Sequence, residues 1–454
     1  MRDQLRERLR ELGDRTAVVH GSDSHSYADL LARIDEVEQQ LAARGVGAHQ
    51  PVILHGDVSF GSIAALLALA VHRAVVIPIV ELTPELQASV VASCQARWLL
   101  RPDTGDITPL DGDLPDRPLS TYAGLVAAGS AGLVLLSSGT TGEPKAILHD
   151  FDTLVAQKLE RRAAPGGSAS SILMMLLFDH IGGVNTLLNA ILVGRPAVIP
   201  TERTPEEVCR LIEKHRVRLL PTSPTFLNLM LLGRLHEVHD LGSLRLITYG
   251  TEPMPAELLR RISAALPQAR LLQTFGTSET GISTTVSESS RSTRFKIDDP
   301  DVQHRIVDGE LQLRTRTQFL GYLNQETTTV TEDGWFRTGD LVEHDQDGYL
   351  TITGRLRDVI NVGGQKVLPL ELESILLSSP LVEDCAVYGK PNAITGQSVW
   401  VDVRTAPGLS KAEARQHVKQ FLAERVERFK VPTRVNVVDS VGVSDRFKKK
   451  RGPA

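Results

Sequence analysis

"LVLLSSGTTGEPKAILHD", residues 133–150, is the stretch from which the rest of this chain is read. An apolar run ends in Ser137, Ser138, Gly139, Thr140, Thr141 and Gly142, and Lys145 follows. Such a run reads as a buried strand that stops. What comes after it suits an anion. Glycines let backbone N–H groups approach closely, Ser and Thr hydroxyls donate, and the lysine adds charge. The arrangement is not GxxxxGK[ST], because the lysine lies beyond Gly142 and is followed by Ala146. The ingredients of phosphate binding are there without the Walker A order.

The chain has 454 residues, too many for one ordinary core, so two or three domains are expected. With 41% hydrophobic and 23% charged residues it reads as soluble and globular. A net charge of −5 argues against a nucleic-acid partner. Cys94, Cys209 and Cys385 form no CxxC and suggest neither a disulfide frame nor a zinc site. The start, "MRDQLRERLRELGD", lacks the apolar stretch of a signal peptide. "IAALLALAVHRAVVIPIV" (63–80) is broken by His72 and Arg73 and contains Pro78, so it reads as a buried helix and a buried strand, with no membrane span. A reducing, cytoplasmic location is the expectation.

Helical patterns alternate with short apolar runs through most of the first 350 residues. "YADLLARIDEVEQQLAARGV" is an amphipathic helix closing at Gly45. "PVILHG" reads as a strand, "IAALLALAVHR" as a helix and "AVVIPIV" as a strand. That alternation predicts parallel sheets covered by helices. Residues 101–130, rich in Asp, Pro and Gly, read as surface connection. Beyond residue 300, "GELQLRT", "YLTITG" and "DVINVGG" read as short strands of an antiparallel unit. After Asp358 comes a compact mixed segment, with helices at "PLELESILLSSP" and "KAEARQHVKQFLAERV" and strands at "VEDCAVYG" and "VWVDVRT". The predicted fold class is α/β. A large N-terminal domain has parallel-rich sheets with helices plus a small antiparallel unit, and a small α+β C-terminal domain follows.

"LSSGTTGEPKAILHD" resembles the phosphate loop of the adenylate-forming enzymes, which include acyl-CoA synthetases, luciferases and the adenylation domains of peptide synthetases. Four further blocks recur in that family's order. "QTFGTSETG" (273–281) resembles its adenine block, "GWFRTGDL" (334–341) its ribose block, "GRLRDVINVGGQKVLPLELE" (354–373) its hinge block and "DRFKKKR" (445–451) its terminal lysine block. The resemblance covers nearly the whole chain. It implies activation of a carboxylic acid by ATP to an acyl-adenylate with release of pyrophosphate.

Carried over residue by residue, the resemblance gives Ser138, Gly139, Thr140, Thr141, Gly142 and Lys145 to the phosphates. Phe275, where the family usually has Tyr, would stack on adenine, with Gly276 beside it and Gln273 meeting the adenine amino group. Ser278 would meet the α-phosphate. Glu279 would ligate a magnesium ion (Mg2+), a hard cation suited to carboxylate oxygen. Asp340 would accept the ribose hydroxyls and Arg355 would add a second contact. In the family the C-terminal domain is mobile and swings about a residue that corresponds to Arg357. Residues 1–356 would then be the large ATP- and acid-binding domain and 358–454 the cap. The catalytic lysine usually follows a glycine. Here Phe447 stands in the glycine's place, spacing favours Lys448, and Lys449 and Lys450 are alternatives.

"MMLLFDHIGGVNTLLNAILVG" (174–194) occupies the position of the family's acid-side helix. Acyl-CoA synthetases often read FHxxG there, and amino-acid-activating domains FDxS. This chain has Phe178, Asp179, His180, Gly182 and Gly183, which matches neither fully. Gly250, Thr251 and Gly281 are expected on the other walls. The leading expectation is transfer of the acyl group to CoA. The alternatives are loading of carrier-protein phosphopantetheine on an acyl carrier protein, and an inactive homologue that only binds.

Overall fold

Every residue from Ser62 to Val71 of the helix Phe60–Val71 is buried. A helix apolar on all sides has no surface to give to water, so it must lie inside the molecule. In the computed structural model, which describes residues 1–111, 119–137, 143–161, 170–444 and 447–452, this helix and Ile181–Val193 pack in one core with residues from two seven-stranded sheets.

The first sheet runs in the order 270–273, 246–249, 219–222, 172–173, 197–199, 16–20, 23–26 and is parallel except at its last pair. The second has Pro51–His55, Val75–Ile79, Trp98–Arg101 and Gly132–Ser137 in parallel contact. Antiparallel neighbours extend it at both edges. A six-stranded antiparallel sheet is built from residues 285–355. The smaller C-terminal domain has a five-stranded sheet faced by the helices Pro369–Leu377 and Lys411–Ala423, with its own core of Leu372, Val387, Val401 and Leu422.

Local sequence accounts for the main elements. The amphipathic helix spans Tyr27–Ala43. The Ser26 side chain accepts from Asp29 N–H while the Asp29 carboxylate accepts from Ser26 N–H, so two orphan donors are satisfied. Gly45 follows at φ +77°, a conformation that favours glycine.

Two expectations change. Residues 101–130 are more than connection, because Asp106–Pro109 is an edge strand and Ala123–Ala128 a helix. Tyr122 and Leu125 are the reason: both are buried, and the Tyr122 hydroxyl donates to the Cys94 carbonyl at 2.8 Å. The strand Ile360–Val362 does not join the antiparallel unit of residues 285–355. It pairs with Gln365–Val367 and with Gly396 in the C-terminal sheet.

Gly183, in the first turn of Ile181–Val193, lets that helix end sit against the preceding loop. A β-carbon there would lie 1.9 Å from the Leu177 carbonyl oxygen, which is backbone and cannot turn away. Gly183→Ala should therefore destabilise the protein by about 3 kcal/mol, read as a lower denaturant midpoint, whereas Gly182→Ala, 3.6 Å from a Leu176 methyl, should be nearly silent.

Candidate active site

The parallel strands Leu219–Thr222 and Leu246–Tyr249 end at a cavity of about 390 Å³, as ligand sites in open α/β sheets do. Pro221, Thr222, Thr248, Gly250 and Thr251 come from those ends. The N-terminus of Ile181–Val193 adds His180, Gly182, Gly183, Asn185 and Thr186. Met175, Leu176, Leu177, Ile181 and Ile282 add apolar surface to the same wall.

The same wall carries several cations. Lys145, Arg337, Arg355, Arg357 and Lys448 all line it, and among the described residues Glu279 is the one carboxylate on the wall. Lys145 begins the strand Lys145–Asp150, which runs antiparallel to Gly132–Ser137 with Ser137 opposite Lys145. Its ammonium lies 5.2 Å from the centre of the Tyr322 ring, and the Tyr322 hydroxyl donates to Glu279 Oε1 at 2.9 Å. Asn324 fixes the start of the strand by accepting from Ala146 N–H at 3.0 Å and donating to the Pro144 carbonyl at 2.8 Å. Beneath Ser278, His149 Nε2 donates to its carbonyl at 2.7 Å. Burial pulls the His149 pKa down to about 4, so the ring is a neutral prop at physiological pH.

Gly276, Ser278, Glu279, Lys145, Arg355, Arg357, Lys448, His180, Gly182, Gly183, Gly250 and Thr251 thus come together around one cavity. Ser138, Gly139, Thr140, Thr141 and Gly142 lie outside the described residues. Phe275 is turned inward: its ring is 5% exposed and stacks on Phe295 at 5.9 Å, off the wall of this cavity. Strand alternation explains this, since Gly276 takes the cavity side. A β-carbon on Gly276 would strike the Gly281 carbonyl at 2.2 Å, and Gly281, at φ +78°, serves that tight pairing and is not on the wall either. Gln273 is buried in its strand, its N–H donating to Ser287 Oγ at 2.9 Å. Phe178 is core.

Asp179 is also absent from this wall. It is 9% exposed, with its Oδ1 4.0 Å from His180 Nε2. The extended backbone at His180 sends neighbouring side chains to opposite sides, and His180 has the cavity side. Asp340 is buried behind Arg355, whose Nε donates to Oδ1 at 2.7 Å across an antiparallel pair. Burial raises the Asp340 pKa against the pull of that guanidinium. Arg357 sits in a single 3-10 turn, Leu356–Asp358, between the last strand of the antiparallel sheet and the C-terminal sheet.

The three C-terminal cations are now distinguished. Lys448 is on the cavity wall. Lys449 turns the other way, its ammonium 3.0 Å from Asp384 Oδ1 and 2.6 Å from the Cys385 carbonyl, so it is no candidate for the chemistry. Lys450 is exposed and is not on this wall either. Arg451 pairs with Glu373 at 2.9 Å. Burial opposes the charged Glu373 carboxylate, but Arg451 and Lys449 outweigh it and hold its pKa below the usual range. Glu252 joins this tail to the large domain, accepting from Thr225 N–H at 2.7 Å and from Lys449 N–H at 3.1 Å.

Tyr322, Asn324, His149 and Glu252 were not singled out from sequence. The only signal for His149 is a polar residue on the inward side of "AILHD"; "GYLN" (321–324) carries the other pair only through contacts distant in the chain.

Residues 5–323 match the family model described as AMP-binding enzyme, and residues 371–447 its C-terminal domain. A probable CoA ligase of Humulus lupulus is 31% identical over 68% of this chain, and the match spans 60% of that relative. Indoleacetate–CoA ligase of Aromatoleum aromaticum is 28% identical over 94% of this chain and 92% of its own length. Among solved structures, ATP-bound MatB from Rhodopseudomonas palustris superposes with a TM-score of 0.81 at 24% identity, covering 98% of this chain and 97% of that one. The chain belongs to the AMP-binding enzymes. Among the described residues, no helix is long and apolar enough to cross a membrane.

Lys449 and Lys448 should separate cleanly in stability measurements. Lys449→Ala leaves the buried Asp384 without its cation and should cost about 3 kcal/mol, whereas exposed Lys448→Ala should change the denaturant midpoint by less than about 0.5 kcal/mol. Equal effects would contradict this assignment.

Proposed function

We propose that this AMP-binding enzyme activates a carboxylic acid with ATP and passes the acyl group to the thiol of CoA. The observation that carries the reading is a cavity whose wall joins five cations and one carboxylate with apolar side chains. A triphosphate needs the cations, and the body of an apolar acid needs the apolar side chains. An acid carboxylate oxygen attacks the α-phosphorus, the bond to the β-phosphate oxygen breaks, and pyrophosphate leaves. The thiol sulfur then attacks the acyl carbon, AMP leaves as the anion, and the thiol proton passes to solvent.

In this reading Ser137, Lys145 and the loop 138–142 hold the β- and γ-phosphates, and Ser278 meets the α-phosphate. Arg355, oriented by Asp340, faces the ribose; for Asp340 to accept the ribose hydroxyls itself, Arg355 must turn aside. Lys448 bridges the attacking carboxylate and the α-phosphate, where negative charge builds up in the transition state. The donor set suits magnesium, which keeps most of its shell as phosphate oxygens and water. Glu279, oriented by Tyr322, offers it one carboxylate, and no cluster of three ligating residues exists among the described residues. A magnesium ion bound there would neutralise phosphate charge.

Arg357 is the proposed hinge between a large domain of residues 1–356 and a mobile cap of residues 358–454. A swing there would carry Lys448 away and leave room for the thiol, from CoA or from the phosphopantetheine of a carrier protein. The acid is an aryl or other apolar one without a free amine. Asp179 is off the wall, and the one carboxylate on it among the described residues, Glu279, goes to magnesium in this reading, so an ammonium group would lack a partner. Relatives named for 4-coumarate and indoleacetate agree with this choice. The three cysteines are free and buried, which fits a reducing compartment, and we assign the enzyme to the cytoplasm.

Pyrophosphate exchange with aryl, medium-chain and amino acids tests the first half-reaction, and thioester capture on CoA or on a carrier protein tests the second. Exchange should be strongest with aryl or apolar acids, and Asp179→Asn should leave that order intact. Lys448→Ala should lower exchange by about a hundredfold while thioester formation from supplied acyl-adenylate survives. Strong preference for an amino acid that is lost in Asp179→Asn would contradict the substrate assignment, and equal damage to both half-reactions would contradict the role of Lys448.

A further inference from the structure

Phe447 adopts φ +50°, in the left-handed region where a β-carbon is strained and glycine is not. The turn that contains it requires this shape. Phe447 N–H donates to the Ser444 carbonyl at 2.9 Å, Ser444 N–H donates to the Lys448 carbonyl at 2.9 Å, and Val443 pairs with Lys449. A phenylalanine in this position needs a compensating contact, and the ring has one. It meets the Phe226 ring edge-on at 86° with centroids 5.0 Å apart, against the core of the first sheet. Its carbonyl accepts from the Ser223 hydroxyl at 2.6 Å, and Ser223 Oγ itself accepts from Phe226 N–H at 3.1 Å, capping the helix Pro224–Leu232. Phe447 therefore fastens the C-terminal turn to the large domain by both side chain and backbone, immediately before the lysine that lines the cavity.

We infer that Phe447 is a positioning residue for Lys448. Its ring, wedged against Phe226, holds the turn in the pose that presents the lysine to the reacting groups. This rests on the adenylation reading above. The wedge also favours the adenylating pose over the thiol-transfer pose, because the Phe226 and Ser223 contacts join the two domains and must part before the cap can swing.

The strained backbone supplies a specific test. Phe447→Gly removes the ring and the strain together, whereas Phe447→Ala removes the ring and keeps the strain. Pyrophosphate exchange should fall in both, and Phe447→Ala should be roughly threefold slower than Phe447→Gly, after allowance for the greater freedom of glycine in the undocked chain. The loss should sit in kcat, with KM for ATP and for the acid within about twofold of wild type. Thioester formation from supplied acyl-adenylate should be unchanged or faster. Hydrogen–deuterium exchange of the C-terminal segment should rise in the order wild type, Phe447→Gly, Phe447→Ala. It should also rise in Phe226→Leu, which keeps the site apolar and most of its volume and leaves the sequence of the turn untouched.

A glycine variant slower than the alanine variant would mean that the turn needs stiffness and not a wedge. Wild-type protection of the segment in Phe226→Leu would overturn the anchoring contact. Failure of the wild type to exchange pyrophosphate with any acid would refute the adenylation reading and with it the link to Lys448. The deuterium order would still decide whether Phe447 anchors the turn.

Discussion

The buried ion pair between Lys449 and Asp384 determines what the end of this chain can do. With Lys449 committed to Asp384 and the Cys385 carbonyl inside the C-terminal domain, Lys448 is left on the cavity side. Arg451 repeats the arrangement by engaging Glu373. Such pairs add little net stability over apolar packing, but removing one partner strands a buried charge, so they resist rearrangement. Lys449 and Arg451 thus tie the tail to its own domain, and a few further contacts join it to the other domain.

Those contacts are of another kind. Glu252 takes one backbone N–H from each domain, and Phe447 supplies a ring edge and a carbonyl. Each is local and individually modest. Strong bonds within the C-terminal domain combined with separable bonds across the interface suit the proposed swing, in which a cap would both align a cation and withdraw it. The opposite wall has no such duality. Tyr322 holds Glu279, His149 supports Ser278 and Asn324 fixes the strand beginning at Lys145, all through hydrogen bonds within the large domain.

Much of this was legible in sequence because the information was local. The apolar run of residues 133–136, the amphipathic helix ending before Gly45 and the small C-terminal α+β segment each follow from short-range pattern. The cavity cations Lys145, Arg355 and Lys448 were reached through motif resemblance, and the structure brings them to one cavity. The misplacements share a cause. Phe275 and Asp179 lie next to cavity residues, and one step along an extended backbone carries a side chain to the opposite face. Tyr122 made an element of a segment rich in turn residues because a buried hydroxyl needs a partner distant in sequence. The left-handed turn at Phe447 is opposed by its own residue type, and its one signal is the glycine that usually stands at this place in the resembling family.

The central claim is that two domains close on an acyl-adenylate with Lys448 at the reacting phosphorus. It is tested most directly by a crystal structure of the protein grown with ATP and an apolar aryl acid. The account predicts acyl-adenylate in the cavity, its acyl group between Leu177, Ile181 and Ile282, and its α-phosphate within hydrogen-bond reach of both Lys448 Nζ and Ser278 Oγ. Nucleotide bound away from Lys145, Arg355 and Lys448, or an α-phosphate met by Lys449 in place of Lys448, would contradict it.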